Sequence, residues 1–234
     1  VILTIVGAVT VEQATSLVQV HFGPWKKGLT PPRPVRKTPS VEKKTVQFIE
    51  KDLTQSTIVL GHSGITRTNP DFYTVTVMNH VLGAGGFSSR LMDSIRDKQG
   101  LAYGITSHYD AKAMPGSFWI NLQTRTETTN QAISSVLAEM KAIREAPVTD
   151  QELAEAKSFL MGSFPLRMDS TAKLAQVLGQ VEFFGLGFDY FSQYPKWIDR
   201  VTKDDVQRVA KQYLNPQLYA LVVVGNITKA KVRH

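Results

Sequence analysis

Arg96 and Tyr103 are the residues whose types and spacing point most directly to chemistry. An arginine supplies a fixed cation with several N–H donors in a planar fork. A tyrosine supplies one hydroxyl donor. Held side by side, the two can bind and polarise a peptide carbonyl, as donors aimed at a developing oxyanion do. A cation at a helix end and an aromatic on a strand are also ordinary structural features. The pair therefore means only as much as the elements that carry it.

Those elements are legible. Gly85-Gly86 opens a segment in which Leu91, Met92 and Ile95 share one side. Gly100 is placed to stop a helix, as a glycine just past a helix end does. Leu101-Ala102-Tyr103-Gly104-Ile105-Thr106-Ser107 follows as a strand. Arg96 thus falls in the last turn of a helix and Tyr103 at the start of the next strand, with a tight turn between them.

The motifs Gly85-Gly86-Phe87-Ser88-Ser89-Arg90-Leu91 and Ile95-Arg96-Asp97-Lys98-Gln99-Gly100-Leu101-Ala102-Tyr103 resemble the C-terminal-domain signature of the pitrilysin/insulinase family of zinc metallopeptidases, which includes the mitochondrial processing peptidases. The resemblance extends through Phe159-Leu160-Met161-Gly162-Ser163-Phe164, Phe188-Asp189-Tyr190 and the run from Ile198 to Val206. It implies that Arg96 and Tyr103 reach over an active site and bind substrate. It also implies a C-terminal domain that holds no zinc itself.

Composition narrows the other classes. The net charge is +7, and Lys26, Lys27, Arg33, Arg36, Lys37, Lys43 and Lys44, opposed only by Glu42, carry most of it. The same segment holds Pro31, Pro32, Pro34 and Pro39, which makes it a solvated linker. No basic stripe with interleaved aromatics is left to bind nucleic acid. No apolar run approaches the roughly 20 residues of a membrane span. With no cysteine, disulfides, thiolate metal sites and a cysteine nucleophile are excluded. The compartment stays open between bacterial periplasm and cytoplasm.

The chain starts without Met, inside a strand-like run, and reads as a piece of a longer polypeptide. Leu3-Thr4-Ile5-Val6 reads as a strand, and a Thr10-x-x-Gln13 capping box opens a helix with Ala14, Leu17, Val18 and Phe22 at helical spacing. Leu221-Val222-Val223-Val224-Gly225 repeats the first strand and its glycine. Such a repeat fits two homologous domains. Residues 1–25 are then the last strand and helix of a truncated N-terminal domain, 26–44 the basic Pro-rich linker, and 45–234 the C-terminal peptidase-like domain.

Within that domain, 45–49 and 57–62 read as paired strands. Asn69-Pro70 starts a helix running to Leu82. Residues 103–109 and 116–124 read as a hairpin, with Phe118, Ile120 and Leu122 on the buried face and Trp119 interrupting the polar one. Helices follow over 126–144, from Thr149, over 170–184 and over 202–214. The fold class is α+β: a two-layer sandwich with a largely antiparallel mixed sheet and helices on one face, like that of the processing peptidases.

Catalytic members of the resembled family carry H-x-x-E-H on a helix of the first domain, where two His and a downstream Glu bind zinc. Here His21, His62, His80, His108 and His234 have no second His or Glu at that spacing. The chain should need no metal of its own, with zinc expected on a missing N-terminal domain or a partner subunit. Gly83-Ala84-Gly85-Gly86 lacks the Gly-Lys-Ser/Thr of a phosphate loop. Two readings remain. One is the substrate-binding, non-metal half of a zinc endopeptidase that acts on unstructured peptides with a homologous H-x-x-E-H domain, as a homo- or heterodimer. The other is a non-catalytic structural or assembly subunit that keeps the fold.

Overall fold

The computed structural model describes residues 1–29 and 42–233, which form two compact units. Residues 30–41 of the 26–44 linker lie outside the described residues.

The larger unit is built on five strands, β1 (Thr45–Glu50), β2 (Gln55–Ser63), β3 (Ala102–Asp110), β4 (Ser117–Arg125) and β5 (Ala220–Gly225), in the order β1-β5-β2-β4-β3. β1 pairs parallel with β5, and every other pairing is antiparallel. The expected β1–β2 pairing is therefore corrected. β5 lies between them, matching Val46 to Leu221 on one side and Leu60 to Leu221 on the other. A valine-rich strand buried between two neighbours satisfies both of its backbone edges, which a β1–β2 hairpin would leave open.

One sheet face is dry. Ile58, Leu60, Phe118, Ile120, Leu122, Leu221 and Val223 are almost fully buried, and Phe118 and Ile120 fall on the side expected. Against this face pack α2 (Phe72–Asn79), its π-helical continuation His80–Ala84 and a π-helical segment Met92–Lys98, with α3 (Thr129–Glu145) alongside. α4 (Asp150–Gly162) starts after Thr149 as expected and opens on a Thr149–Glu152 capping box. α7 (Lys203–Tyr213) opens on a Thr202–Asp205 box and packs on α2 and α3.

Two details depart from expectation. α2 starts two residues beyond Asn69-Pro70, because Asn69 Oδ1 instead accepts the Asp71 amide at 2.8 Å. Its β-prone Val75 and Val77 stay helical because both are buried, and burial outweighs propensity. A helix over Tyr190–Asp199, α6 once α5 below is counted, was not expected; Pro195 inside it hides the pattern.

α2 approaches β3 closely. A Cβ on Gly83 would lie 2.6 Å from Leu91 Cδ1 and 2.8 Å from the Ser107 backbone nitrogen. Below this contact Ser107 Oγ donates to Asn79 Oδ1 at 2.7 Å. Gly83→Ala should cost about 1–3 kcal/mol as an overpacked contact, read as a lower urea midpoint with unchanged m-value.

The smaller unit holds α1 (Val11–Phe22), capped by Thr10 and Gln13 as expected, and α5 (Thr171–Phe184), capped by Ser170 and closed by Gly185 in the left-handed region. Leu3–Val6 is not a strand here. No strand lies beside it among the described residues of this unit, and an extended segment gains stability only from a ladder. Thr4 Oγ1 donates to the Ala175 carbonyl at 2.9 Å. No residue of α1 is buried; Val11, Leu17 and Val20 are exposed.

Candidate functional site

The segment that carries Arg96 and leads to Tyr103 is built as its glycines suggest. Gly86 and Gly100 both take positive φ, +61° and +60°. At the second, the Gly100 amide donates to the Arg96 carbonyl and the Leu101 amide to that of Ile95, each at 2.9 Å. This closes the Met92–Lys98 segment and sends the chain directly into β3. Leu91 and Ile95, both fully buried, fix the segment against the core and leave Arg96 at the rim.

Tyr103 owes its position to a bulge. Ala102 pairs with Thr124 and Ile105 with Leu122, so Tyr103 and Gly104 share the place opposite Gln123. The extra residue turns the strand locally. Tyr103 is 92% exposed, and its hydroxyl has no hydrogen-bond partner among the described residues.

The two predicted residues meet. The Arg96 guanidinium carbon lies 5.6 Å from the centre of the Tyr103 ring and 4.8 Å from that of Phe87. Both distances lie within cation–π range. The only ion-pair contact of Arg96 among the described residues is a long one, Nη1 to Asp97 Oδ1 at 3.4 Å. Its donors are thus largely free for a ligand. Phe87, 72% exposed just after the left-handed Gly86, was not singled out from sequence. Only its place in the glycine motif could have marked it, because exposure leaves no trace in residue type.

Arg90 of the same motif holds the segment in place. Its Nε and Nη2 donate to the two Glu152 oxygens at 2.5 and 2.8 Å. Glu152 also accepts from the Thr149 amide at 2.7 Å. Burial pushes the Glu152 carboxyl up, but the Arg90 fork and the Thr149 amide together outweigh it and hold it below the ordinary carboxylate range. A depressed folded pKa stabilises above the unfolded carboxylate range and is lost as pH falls through the folded value. Stability should therefore decline below about pH 4, the unfolded value being near 4.3. Arg90→Ala should cost about 2 kcal/mol, less than a fully buried pair. A double-mutant cycle with Glu152→Gln should return most of that as coupling, and should flatten the acid limb.

The described histidines do not come together as a zinc site. His62 Nδ1 contacts the Ser63 carbonyl at 2.9 Å, and its Nε2 faces the Asn215 amide. His80 stacks on Phe159 and His108 on Trp119. Burial pushes the pKa values of His62 and His80 down. No group of three His, Cys, Asp or Glu able to hold a metal occurs among the described residues. This donor set does not fit zinc.

The peptidase M16 inactive-domain model matches residues 1–160. The chain belongs to that family. The resemblance carried by the glycine and Arg–Tyr motifs is thereby borne out, as is the fold. This M16 domain is 31% identical to an uncharacterized zinc protease of Streptomyces coelicolor, over 77% of the chain and 39% of that protein. It is 30% identical to a Helicobacter pylori protein named a non-peptidase homolog, over 81% of the chain and 44% of that protein. A crystal structure of a peptidase M16 inactive domain from Pseudomonas fluorescens superposes with a TM-score of 0.85 at 28% identity, covering 94% of this chain and 52% of that one. The chain thus spans about half the length, or less, of these relatives.

Proposed function

We propose that this M16 domain is the substrate-binding, non-metal half of a zinc-dependent endopeptidase. It completes an active site whose H-x-x-E-H motif and zinc lie on a homologous domain or subunit, and the substrate is an unstructured peptide. The observation that carries this reading is the convergence of Arg96 and Tyr103 at one exposed point, with donors unspent on the protein itself. Arg96 and the Tyr103 hydroxyl would grip a peptide carbonyl and draw electron density towards its oxygen. Mixing the chain with an H-x-x-E-H domain should produce peptide cleavage that neither piece shows alone.

The name of the Helicobacter relative favours a second reading, a structural or assembly subunit that keeps the fold. Association of the two pieces without cleavage would support it.

We further infer that residues 1–25 complete a preceding homologous domain. The Leu3–Val6 segment lacks a strand partner among the described residues of its unit, no residue of α1 is buried, and the segment's sequence matches β5, which sits between two strands in the larger unit. Amides of Leu3–Val6 should exchange rapidly in this chain and slowly in a longer one containing that domain. Rapid exchange in both would refute the assignment.

A further inference from the structure

We infer that the hollow beside Tyr103 is a carboxylate-binding subsite, which takes an acidic side chain or the free C-terminus of a bound peptide. The inference rests on the reading of Arg96 and Tyr103 as peptide-binding residues and names the chemistry they select. The hollow has a volume of about 410 Å³. Arg96, Arg125, Gln55, Gln123 and Tyr103 supply its polar and aromatic lining, and no carboxylate faces it among the described residues.

Topology brings these groups together. Gln55 begins β2 and Arg125 ends β4, and the two are directly paired in register. Gln123 sits opposite the bulge that displaces Tyr103. Arg96 arrives from the closing turn of the helical segment. Arg125 has no ion pair among the described residues; the nearby Glu127 is already bonded to Lys229 at 2.8 Å. Two guanidinium groups lining one concavity without an anion repel each other. A carboxylate relieves that repulsion and matches the planar donor fork of each arginine.

The other hollow that Tyr103 lines differs. A second hollow of about 420 Å³ is lined by Met92, Ile105 and Leu122, with Asn121 and Thr106. Tyr103 and Gln123 line both hollows. A chain lying on Tyr103 therefore has one hollow with two guanidinium groups and one without a charged side chain within its reach. An acidic group has one place to go.

The test uses the full chain and one short unstructured peptide in versions bearing a central Glu or Gln and a free or amidated C-terminus. Binding is read by fluorescence anisotropy at low ionic strength. The Glu peptide, the free-acid peptide, or both should bind about tenfold tighter than the Gln amide. Comparing those two arms identifies the source of the carboxylate. The preference should fade as salt is raised. Arg125→Gln should bring the ratio to about one, and Arg125→Lys should restore part of it. A ratio of one in the parent, or a ratio that survives Arg125→Gln, overturns the subsite. The underlying reading fails separately, if Arg96→Ala and Tyr103→Phe leave the affinity for the Gln amide unmoved. Absence of binding by every peptide overturns both.

Discussion

Arg96→Ala is expected to lower kcat/KM for peptide cleavage by about a hundredfold when the chain is combined with an H-x-x-E-H domain, the scale for losing one donor to a developing oxyanion. The guanidinium lies against two exposed rings and makes one long contact to Asp97, so its removal leaves the core untouched. The loss should appear with an unchanged urea midpoint. Tyr103→Phe removes a single hydroxyl from a side chain 92% exposed, and should act on the same step with less effect on the fold. Arg96→Lys should not restore the rate, because a point cation lacks the planar fork. Removing Asp97 as Asp97→Asn should change little. If both variants cleave as fast as the parent, the pair does not touch the reacting carbonyl. If they lose activity only together with stability, the pair is structural.

Phe118→Ala should produce the largest loss of stability, about 3–5 kcal/mol, as deletion of a buried aromatic does. Phe118 is fully buried on β4, with His62 stacked at 4.8 Å and Tyr109 tilted at 5.6 Å. The surrounding strands β2, β3 and β4 are tied by their ladders and cannot close the space. Phe118→Leu keeps most of the volume and should cost far less. A chemical-denaturation series on the two variants separates cavity from general disturbance. Equal losses would mean that the site collapses freely, against the close packing described here.

The fold and the Arg–Tyr pair were legible in the sequence because both depend on local signals. Gly100 stops the helical segment, the capping boxes at Thr10 and Thr149 start helices, and the alternation of Phe118, Ile120 and Leu122 marks a buried face. Pairing partners are not local. Nothing in residues 45–63 announces that β5 will lie between β1 and β2. Leu3–Val6 has the composition of a strand, but composition cannot supply a neighbour. The π-helical form of Met92–Lys98 and the bulge at Tyr103 are set by packing and register, so the sequence placed Arg96 and Tyr103 near one another without the geometry that exposes Tyr103. Arg125 and Gln55 escaped notice because each is an ordinary strand-end residue until the register pairs them.

The place of β5 has a consequence for how the polypeptide reaches this state. During synthesis β2, β3 and β4 leave the ribosome together and can associate early. Among the described strands of this sheet β1 emerges first, yet the strand it pairs with, β5, emerges last. Until then β1 is an unclaimed ribbon and β2 has one open side, the condition in which chains pair wrongly with one another. High contact order of this kind slows folding. The final strand acts as the closing step of assembly, and a nascent chain stalled before Ala220 would be the species most in need of a chaperone.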